Sequence, residues 1–262
     1  MGNSNCKETY EAKIGRPDGL HAMLKQINHG NYQVPIEEEL QKGIKVLDAG
    51  CRHGNWVLEM AKDYPSSQFV GIHVSKGFSS CFAPSNCSFV QADIVKGLQF
   101  PDNTFDYVHQ RFSGFSYTQA NWVNVVAELI RVTKPGGWIE LCELESEMQR
   151  KGPCTEYISK AIDDLMVSQG INLGIVKHLS GFFSGLENLY SDYHMVPIGW
   201  NGRVGEMSAA AWQKSVLAKR NKIAAVLRMN EEAYDQLVQQ ALGEFATYKT
   251  WVKMSYMYGT KE

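Results

Sequence analysis

The sequence lacks the features of several large protein classes. It has no uninterrupted apolar run of the roughly 20 residues that a transmembrane helix needs, and no apolar segment near its start resembles a secretory signal. Its 26 basic and 28 acidic residues give a formal net charge of −2, without the basic excess of a dedicated nucleic-acid-binding protein. We therefore expect a cytoplasmic protein whose partners do not include nucleic acid.

The cysteines lack the spacing of a metal site or a disulfide framework. The chain has six cysteines but no CxxC pair. We interpret them as free thiols in a reducing compartment and predict no metal site. No stretch rich in proline, glycine or serine divides the chain, so we predict a single domain over residues 1–262.

Short apolar segments alternate with helical patterns through the first half of the chain. The segments favour strands at residues 44–47, 68–74, 88–92, 104–109 and 138–142. Between the last two, Thr118 has the character of an N-cap, and apolar residues recur with helical spacing from Trp122 to Ile130. Strands that alternate with helices predict parallel crossovers, and therefore a doubly wound, mostly parallel α/β sheet.

Both ends of the chain add to this core, which we place at residues 44–145. Within residues 1–43, Leu20, Met23, Leu24 and Ile27 predict an N-terminal helix that lies on the domain as a lid. Residues 146–262 carry helical patterns near 155–168, 209–227 and 231–246, together with apolar-aromatic runs at 190–198 and 251–258. We interpret the helices as a cap and the two runs as strands at the sheet edge.

A glycine-containing loop, residues 48–54, comes directly after the first predicted strand. In an open α/β sheet ligands bind beyond the carboxyl ends of the strands, and glycines let the backbone approach a ligand closely. A D-x-G-x-x-x-G string is a weak signal by itself, and a plain strand-to-helix turn explains it equally well. The loop does not stand alone in this chain, however.

Four further segments come after the loop in a fixed order: residues 70–73, 91–94, 100–106 and 133–138. In this order, over residues 43–145, the chain resembles the class I S-adenosylmethionine-dependent methyltransferases, most closely the small-molecule type common in fungi. The resemblance implies a seven-stranded sheet with an antiparallel last strand, here residues 251–258. It also implies S-adenosylmethionine as cofactor and methylation of a small, partly apolar acceptor at oxygen, nitrogen or carbon.

The resemblance also implies a set of cofactor-binding residues. It assigns Gln110 to the neighbourhood of the sulfonium, Asp93 and Ile94 to the adenine, and the methionine end to Asp48, Gly50, Cys51 and Gly54. An aspartate beside a backbone N–H can pair with an adenine edge, although Asp93 also fits an ordinary turn carboxylate.

Two residues of the same pocket depart from the family pattern. Arg52 stands where the family usually has glycine, and His73 stands where an acidic residue usually accepts hydrogen bonds from the ribose. One interpretation is a solvent-directed Arg52 with a neutral His73 that still contacts the ribose. Another is a catalytically inactive binding or regulatory protein with a drifted pocket. A third is a preference for an anionic nucleotide.

Candidate catalytic residues lie at the end of the fourth predicted strand. His109 is the first candidate for a general base and Arg111 for a clamp on the substrate, although a histidine after a strand is often structural. Aromatic residues such as Phe112, Phe182 and Trp200 fit either an acceptor pocket or the core.

The first residues approximate an acylation signal. In Met1-Gly2-Asn3-Ser4-Asn5-Cys6 a cysteine stands where serine or threonine is preferred. Myristoylation of Gly2 and palmitoylation of Cys6 would together anchor the chain to a membrane, whereas the alternative is a plain polar tail.

Overall fold

A computed structural model describes residues 19–75, 83–183 and 185–262 of the chain. The acylation hypothesis on Gly2 and Cys6 lies outside these residues. Within them the strands are β1 Lys45–Ala49, β2 Gln68–His73, β3 Cys87–Gln91, β4 Phe105–Arg111, β5 Thr133–Gln149, β6 Leu186–Pro197 and β7 Trp251–Lys261.

The seven strands form one sheet in the order β3-β2-β1-β4-β5-β7-β6. Neighbours from β3 to β5 pair in parallel, and β7 runs antiparallel between β5 and β6. The expectation of two late edge strands is therefore wrong for residues 251–258, because β6 pairs on the outer side of β7 and is itself the edge strand. The prediction of a mostly parallel, seven-stranded sheet whose last strand is antiparallel is confirmed. The order reverses at β1 and β4, which places a crevice at their carboxyl ends.

The helices of the described residues are α1 Gly19–Ile27, α2 Glu37–Lys42, α3 Asn55–Asp63, α4 Gln119–Val132, α5 Pro153–Ser168, α6 Gly202–Leu217, α7 Arg220–Val226 and α8 Glu231–Tyr248. Two 3-10 helices span Ile94–Lys96 and Leu173–Phe182. The Thr118 hydroxyl accepts a hydrogen bond from Asn121 N at 3.2 Å, which confirms the predicted N-cap. The predicted helix over residues 209–227 is wrong as one element, because α6 ends before Lys219 and α7 begins after it.

Apolar side chains cover both faces of the sheet. Trp56 of α3 packs with Tyr107 on one face, and Trp122 of α4 packs with Val108 on the other. The cap helices α5 to α8 bury a further cluster of their own around Tyr234. In the part of the chain that the structure describes, no helix is both long enough and apolar enough to span a membrane.

Strand β5 is longer than the pattern predicts. The sequence favours a strand at residues 138–142, whereas β5 runs from Thr133 to Gln149. Its pairing with β4 ends at Cys142, but pairing with β7 continues to Gln149 and satisfies the backbone beyond that point. The carboxyl half of β5 therefore projects past the edge where β1 and β4 end.

Candidate active site

The strand register brings the predicted site residues to one edge of the sheet. Asp48 lies opposite His109 of β4 and Gly71 of β2, and His73 lies opposite Gln91 of β3. Because these strands are parallel, the glycine loop and the ends of β2 and β4 meet at the same crevice.

The glycine loop is held tightly against β2. The N–H groups of Gly50 and Cys51 both donate to Ile72 O, at 3.0 and 2.9 Å. Gly50 and Gly54 have φ of 87° and 79°, which side chains rarely adopt. A Cβ on Gly54 would also lie 2.6 Å from Phe89 Cε1. Both glycines are therefore required for this turn into α3.

The thiol of Cys51 lies beneath the same loop. Cys51 is 8% exposed, and burial first, then the nearby Asp48 carboxylate, raises the pKa of the thiol. Because a raised pKa keeps the thiol protonated, Cys51 is a poor nucleophile. Cys51 thus contributes its backbone and its bulk to the loop, and its cofactor contact stays a prediction.

Asp48 and His109 form a buried pair beneath the loop. His109 Nδ1–H donates to Asp48 Oδ1 at 3.0 Å, and the side chains of His109 and Asp48 are 2% and 3% exposed. The imidazole stacks on Trp56 with 4.0 Å between ring centroids and 4° between planes. His109 is thereby oriented and shielded from solvent. The role of general base stays a prediction, since this contact also suits a positioning residue.

Gln110 and Arg111 point to opposite faces of the sheet. Gln110 is fully buried and its amide faces Glu143, but among the described residues neither amide atom makes a hydrogen bond. Arg111 Nη2 donates to His21 Nδ1 of α1 at 2.9 Å. Arg111 thus contacts the N-terminal helix, and its predicted role as a substrate clamp remains untested.

Arg52 adopts the left-handed conformation that glycine would adopt there, with φ of 53°. Its guanidinium does not simply extend into solvent, because Nη2 donates to Phe112 O at 2.6 Å. This contact joins the glycine loop to the segment after β4. The same hydrogen bond compensates for the cost of placing a non-glycine residue in the left-handed conformation at position 52.

His73 ends β2 at the position expected to face a ribose. Burial first, then the charge of Arg52 and of His53, lowers the pKa of the imidazole below its usual value. His73 is therefore neutral at physiological pH. Of the three interpretations of the departures, a neutral imidazole that can hydrogen-bond to a hydroxyl agrees best with this electrostatic setting.

Asp93 and Ile94 come directly after β3. The Asp93 carboxylate accepts from Val95 N at 3.2 Å and caps the short 3-10 helix, as an ordinary turn carboxylate does. Ile94 is 5% exposed and packs in the core. Their contact with adenine stays a prediction.

Helix α1 covers the crevice beside the glycine loop. Leu20, His21 and Leu24 face Asp48 and Arg52 across a cavity of about 30 Å³, enough for little more than one water. His21 Nε2–H donates to Glu59 at 2.6 Å while its Nδ1 accepts from Arg111. One imidazole therefore ties α1 both to α3 and to β4.

We expect the variant His21→Ala to loosen α1. Two partly buried hydrogen bonds, each contributing about 0.5–1.5 kcal/mol, are lost, so amide hydrogen exchange in Gly19–Ile27 should accelerate about tenfold. Exchange followed by mass spectrometry measures this. Lys25→Ala is the matched control, because Lys25 contacts the same Glu59 from an exposed position. Equal acceleration in both variants would contradict the role given to His21.

Glu143 belongs to the same edge and was missed by sequence reasoning. It is 1% exposed and accepts hydrogen bonds from Ser113 N at 2.9 Å and Gly114 N at 2.8 Å. Burial raises the pKa of Glu143 to about 7 despite these two N–H groups and the nearby Arg52. The alternating acidic residues after Cys142 were the available signal, but the predicted strand stopped there.

Comparison with known proteins finds relatives for the part of the chain that carries this site. Residues 46–137 match a family described as a methyltransferase domain. The N-methyltransferase sirN of Leptosphaeria maculans is 30% identical over 174 residues, which cover 63% of this chain and 61% of the relative. The chain spans 61%, 51% and 63% of the length of three curated relatives that it matches.

Solved structures share the fold at low sequence identity. The YcgJ protein of Bacillus subtilis is 18% identical with a TM-score of 0.53, covering 93% of this chain and 99% of that one. The [4+2]-cyclase SpnF is 17% identical with a TM-score of 0.50, covering 97% and 94%. The strand order and the glycine loop agree with these comparisons: residues 46–137 are similar to a methyltransferase domain, and the fold is that of the class I S-adenosylmethionine-dependent methyltransferases.

Proposed function

We propose that the protein transfers a methyl group from S-adenosylmethionine to a small, partly apolar acceptor. The observation that carries this proposal is the tight glycine loop above the buried Asp48, at the crevice where this fold binds its ligand. Relatives named as methyltransferases support it, among them sirN. Nitrogen is the atom that the name of sirN favours as the methyl acceptor.

The polar groups at the crevice match those of the cofactor. Gly50 brings the loop backbone so close to Ser113 that a Cβ would lie 3.3 Å from Ser113 Oγ, and within the described residues the oxygen of the buried Gln110 amide has no hydrogen-bond partner. Asp48 would hold the methionine amine, and neutral His73 a ribose hydroxyl. When bound, S-adenosylmethionine supplies an electrophilic methyl group on its sulfonium.

The chain's own contribution is alignment and exclusion of water. Methyl transfer needs the acceptor atom and the methyl group held in line, and a base if the acceptor carries a proton. Helix α1 closes one side of the crevice, and the Arg52 contact with Phe112 O keeps the loop in place. The hydrogen bond from His109 Nδ1 holds the Asp48 carboxylate in its orientation.

An inactive binding protein was the alternative suggested by Arg52 and His73. In the structure Arg52 donates to a backbone carbonyl, and burial together with the charge of Arg52 lowers the pKa of His73, which favours its neutral form. Neither observation favours a drifted pocket or an anionic nucleotide over methyl transfer. Cytoplasmic location and membrane anchoring through Gly2 and Cys6 remain proposals, which intact mass after co-expression with an N-myristoyltransferase would test.

Calorimetry with S-adenosylhomocysteine tests the proposed function. We expect the parent to bind, and Gly50→Ala to lose about tenfold or more in affinity, because the new Cβ enters the loop 3.3 Å from Ser113 Oγ. Gly136→Ala is the matched control: Gly136 also has a positive φ, 74°, but its Cβ would meet nothing within 4 Å. Both variants should lose about 1–2 kcal/mol of stability from the strained backbone.

Two outcomes would overturn the proposal. In the first, the well-folded parent fails to bind S-adenosylhomocysteine at millimolar concentration. In the second, Gly50→Ala and Gly136→Ala bind it equally well, so that the loop has no part in binding.

A further inference from the structure

A groove of about 500 Å³ lies where β5 projects past the end of β4. Its floor is formed by alternate residues of β5, beginning with Leu141, Glu143 and Glu145, beside Ser255 and Met257 of β7. The 3-10 helix Leu173–Phe182 forms one wall, with Val176 and Leu179. A cavity of this size matches those that bind small molecules.

The inner end of the groove adjoins the glycine loop. Glu143 accepts hydrogen bonds from Ser113 N and Gly114 N, and a Cβ on Gly50 would lie 3.3 Å from Ser113 Oγ. Ser113 thus separates the loop from Glu143. A molecule in the groove would have its inner end beside the place where the loop would hold the cofactor.

Two buried carboxylates of the groove lack an ion-pair partner among the basic residues that the structure describes. Glu143 and Glu145 are 1% and 8% exposed, and within the described residues neither forms an ion pair. Glu145 Oε1 accepts from the Ser255 hydroxyl at 2.8 Å. Arg52 and Lys177 act on these carboxylates only through longer-range attraction. Burying acidic groups without a cation costs free energy, and a bound cationic ligand would lower that cost.

The lysines of the groove are engaged elsewhere. Lys177 pairs with Glu147 at the outer end, and Lys253 lies 4.3 Å from the centroid of the Tyr193 ring. The inner end therefore stays acidic. Beside this end, the fully buried Gln110 shares the face of the sheet with Leu141 and Glu143, and within the described residues its amide oxygen has no hydrogen-bond partner. Its carbonyl oxygen can accept from an N–H of a ligand.

The remaining walls suit an apolar or aromatic body. Leu141, Val176, Leu179 and Met257 present apolar surface, and Tyr193, opposite Ser255, presents an aromatic ring. Apolar walls with a few polar groups at one end are typical of small-molecule sites that fix the orientation of the ligand.

We propose that this groove binds the methyl acceptor, that the acceptor is an aromatic or apolar amine, and that Glu143 and Glu145 hold its nitrogen at the end beside the glycine loop. The inference rests on the proposed function and deepens it by naming the acceptor class. An acceptor with a carboxylate at this end would face two carboxylates and would be rejected.

Three probes that share a phenol ring test the charge preference: tyramine is cationic, p-cresol neutral and 4-hydroxyphenylacetate anionic. Binding to the full chain is monitored by ligand-observed NMR, without any turnover. We expect tyramine to bind at least tenfold more tightly than either other probe. Glu143→Gln and Glu145→Gln should each weaken tyramine binding about tenfold.

Glu140→Gln is the matched control, because Glu140 is an equally buried carboxylate of the same strand, 1% exposed, but lies on the opposite face of the sheet, where it accepts a hydrogen bond from the Tyr107 hydroxyl. It should leave tyramine binding unchanged. If Glu143→Gln fails to fold, Glu145→Gln decides. Equal binding of the three probes, no binding at millimolar concentration, or tyramine binding that neither variant weakens would overturn the proposal.

The groove and the methyl-transfer proposal can fail separately. Binding of S-adenosylhomocysteine together with equal binding of the three probes would retain methyl transfer and reject the amine site. Charge-selective tyramine binding without any binding of S-adenosylhomocysteine would retain the amine site and reject methyl transfer.

Discussion

Replacing Asp48 with alanine is expected to lower the affinity for S-adenosylhomocysteine about 100-fold. The carboxylate is 3% exposed below the glycine loop and would accept hydrogen bonds from the methionine amine. Charge-assisted hydrogen bonds of this kind contribute about 1.5–3 kcal/mol, and about 2.7 kcal/mol corresponds to 100-fold. The variant also removes the partner of His109 Nδ1, which frees the ring to turn.

Asp106→Ala is the matched control for Asp48→Ala. Asp106 also accepts two hydrogen bonds, from Lys45 N at 2.9 Å and from Lys134 Nζ at 2.7 Å, but it lies near the start of β4, away from the crevice. Calorimetry should show unchanged affinity in this control, with a comparable loss of stability. If Asp48→Ala bound within threefold of the parent, Asp48 would be a structural partner of His109 and no cofactor ligand.

Replacing Trp56 with alanine is expected to lower the free energy of unfolding by about 3–5 kcal/mol. Trp56 is 1% exposed, stacks on His109, packs edge-on against Tyr107 and donates from Nε1 to Asn31 O at 2.7 Å. Its loss leaves a large cavity under the glycine loop. Urea unfolding of parent and variant measures the effect, and affinity for S-adenosylhomocysteine should fall with it.

A milder pair of variants tests the same site if Trp56→Ala does not fold. Trp56→Phe keeps a ring but loses the hydrogen bond to Asn31 O. In Trp122→Phe the lost Nε1–H is buried and has no acceptor in the part of the chain that the structure describes, so little is lost with it. We expect Trp56→Phe to cost at least about 1 kcal/mol more than Trp122→Phe. The reverse order would show that the contact with Asn31 contributes little.

Much of the architecture could be predicted because it depends on local patterns. Alternating short apolar segments and helical periodicity report which side of each element is buried, and Thr118 begins α4 as predicted. Glycines 50 and 54 mark the loop because few other residues adopt its backbone angles. The apolar-aromatic run that became β7 was similarly visible, and the resemblance supplied its antiparallel direction.

Contacts between distant segments were beyond such patterns. Arg52 looked out of place in the loop, but Phe112 O, sixty residues away, supplies its guanidinium with an acceptor. His109 looked like a base at the edge of the site, and it lies between Trp56 and Asp48. The acidic residues after Cys142 favoured the end of a strand at that point. In the structure, pairing with β7 extends β5 to Gln149, and Glu143 is buried.

These contacts could not be predicted because periodicity shows only which side of a single helix or strand is buried. The hydrogen-bond and packing partners of a side chain are determined when helices and strands come together. Strand propensity, helix capping and tight turns are settled within a few residues of sequence. Other features depend on segments that only folding brings into contact. They are the orientation of a buried charged side chain, the position of α1 over the crevice and the length of β5. The glycine loop can therefore be predicted from the sequence, whereas the acidic groove beside it forms only when the sheet folds.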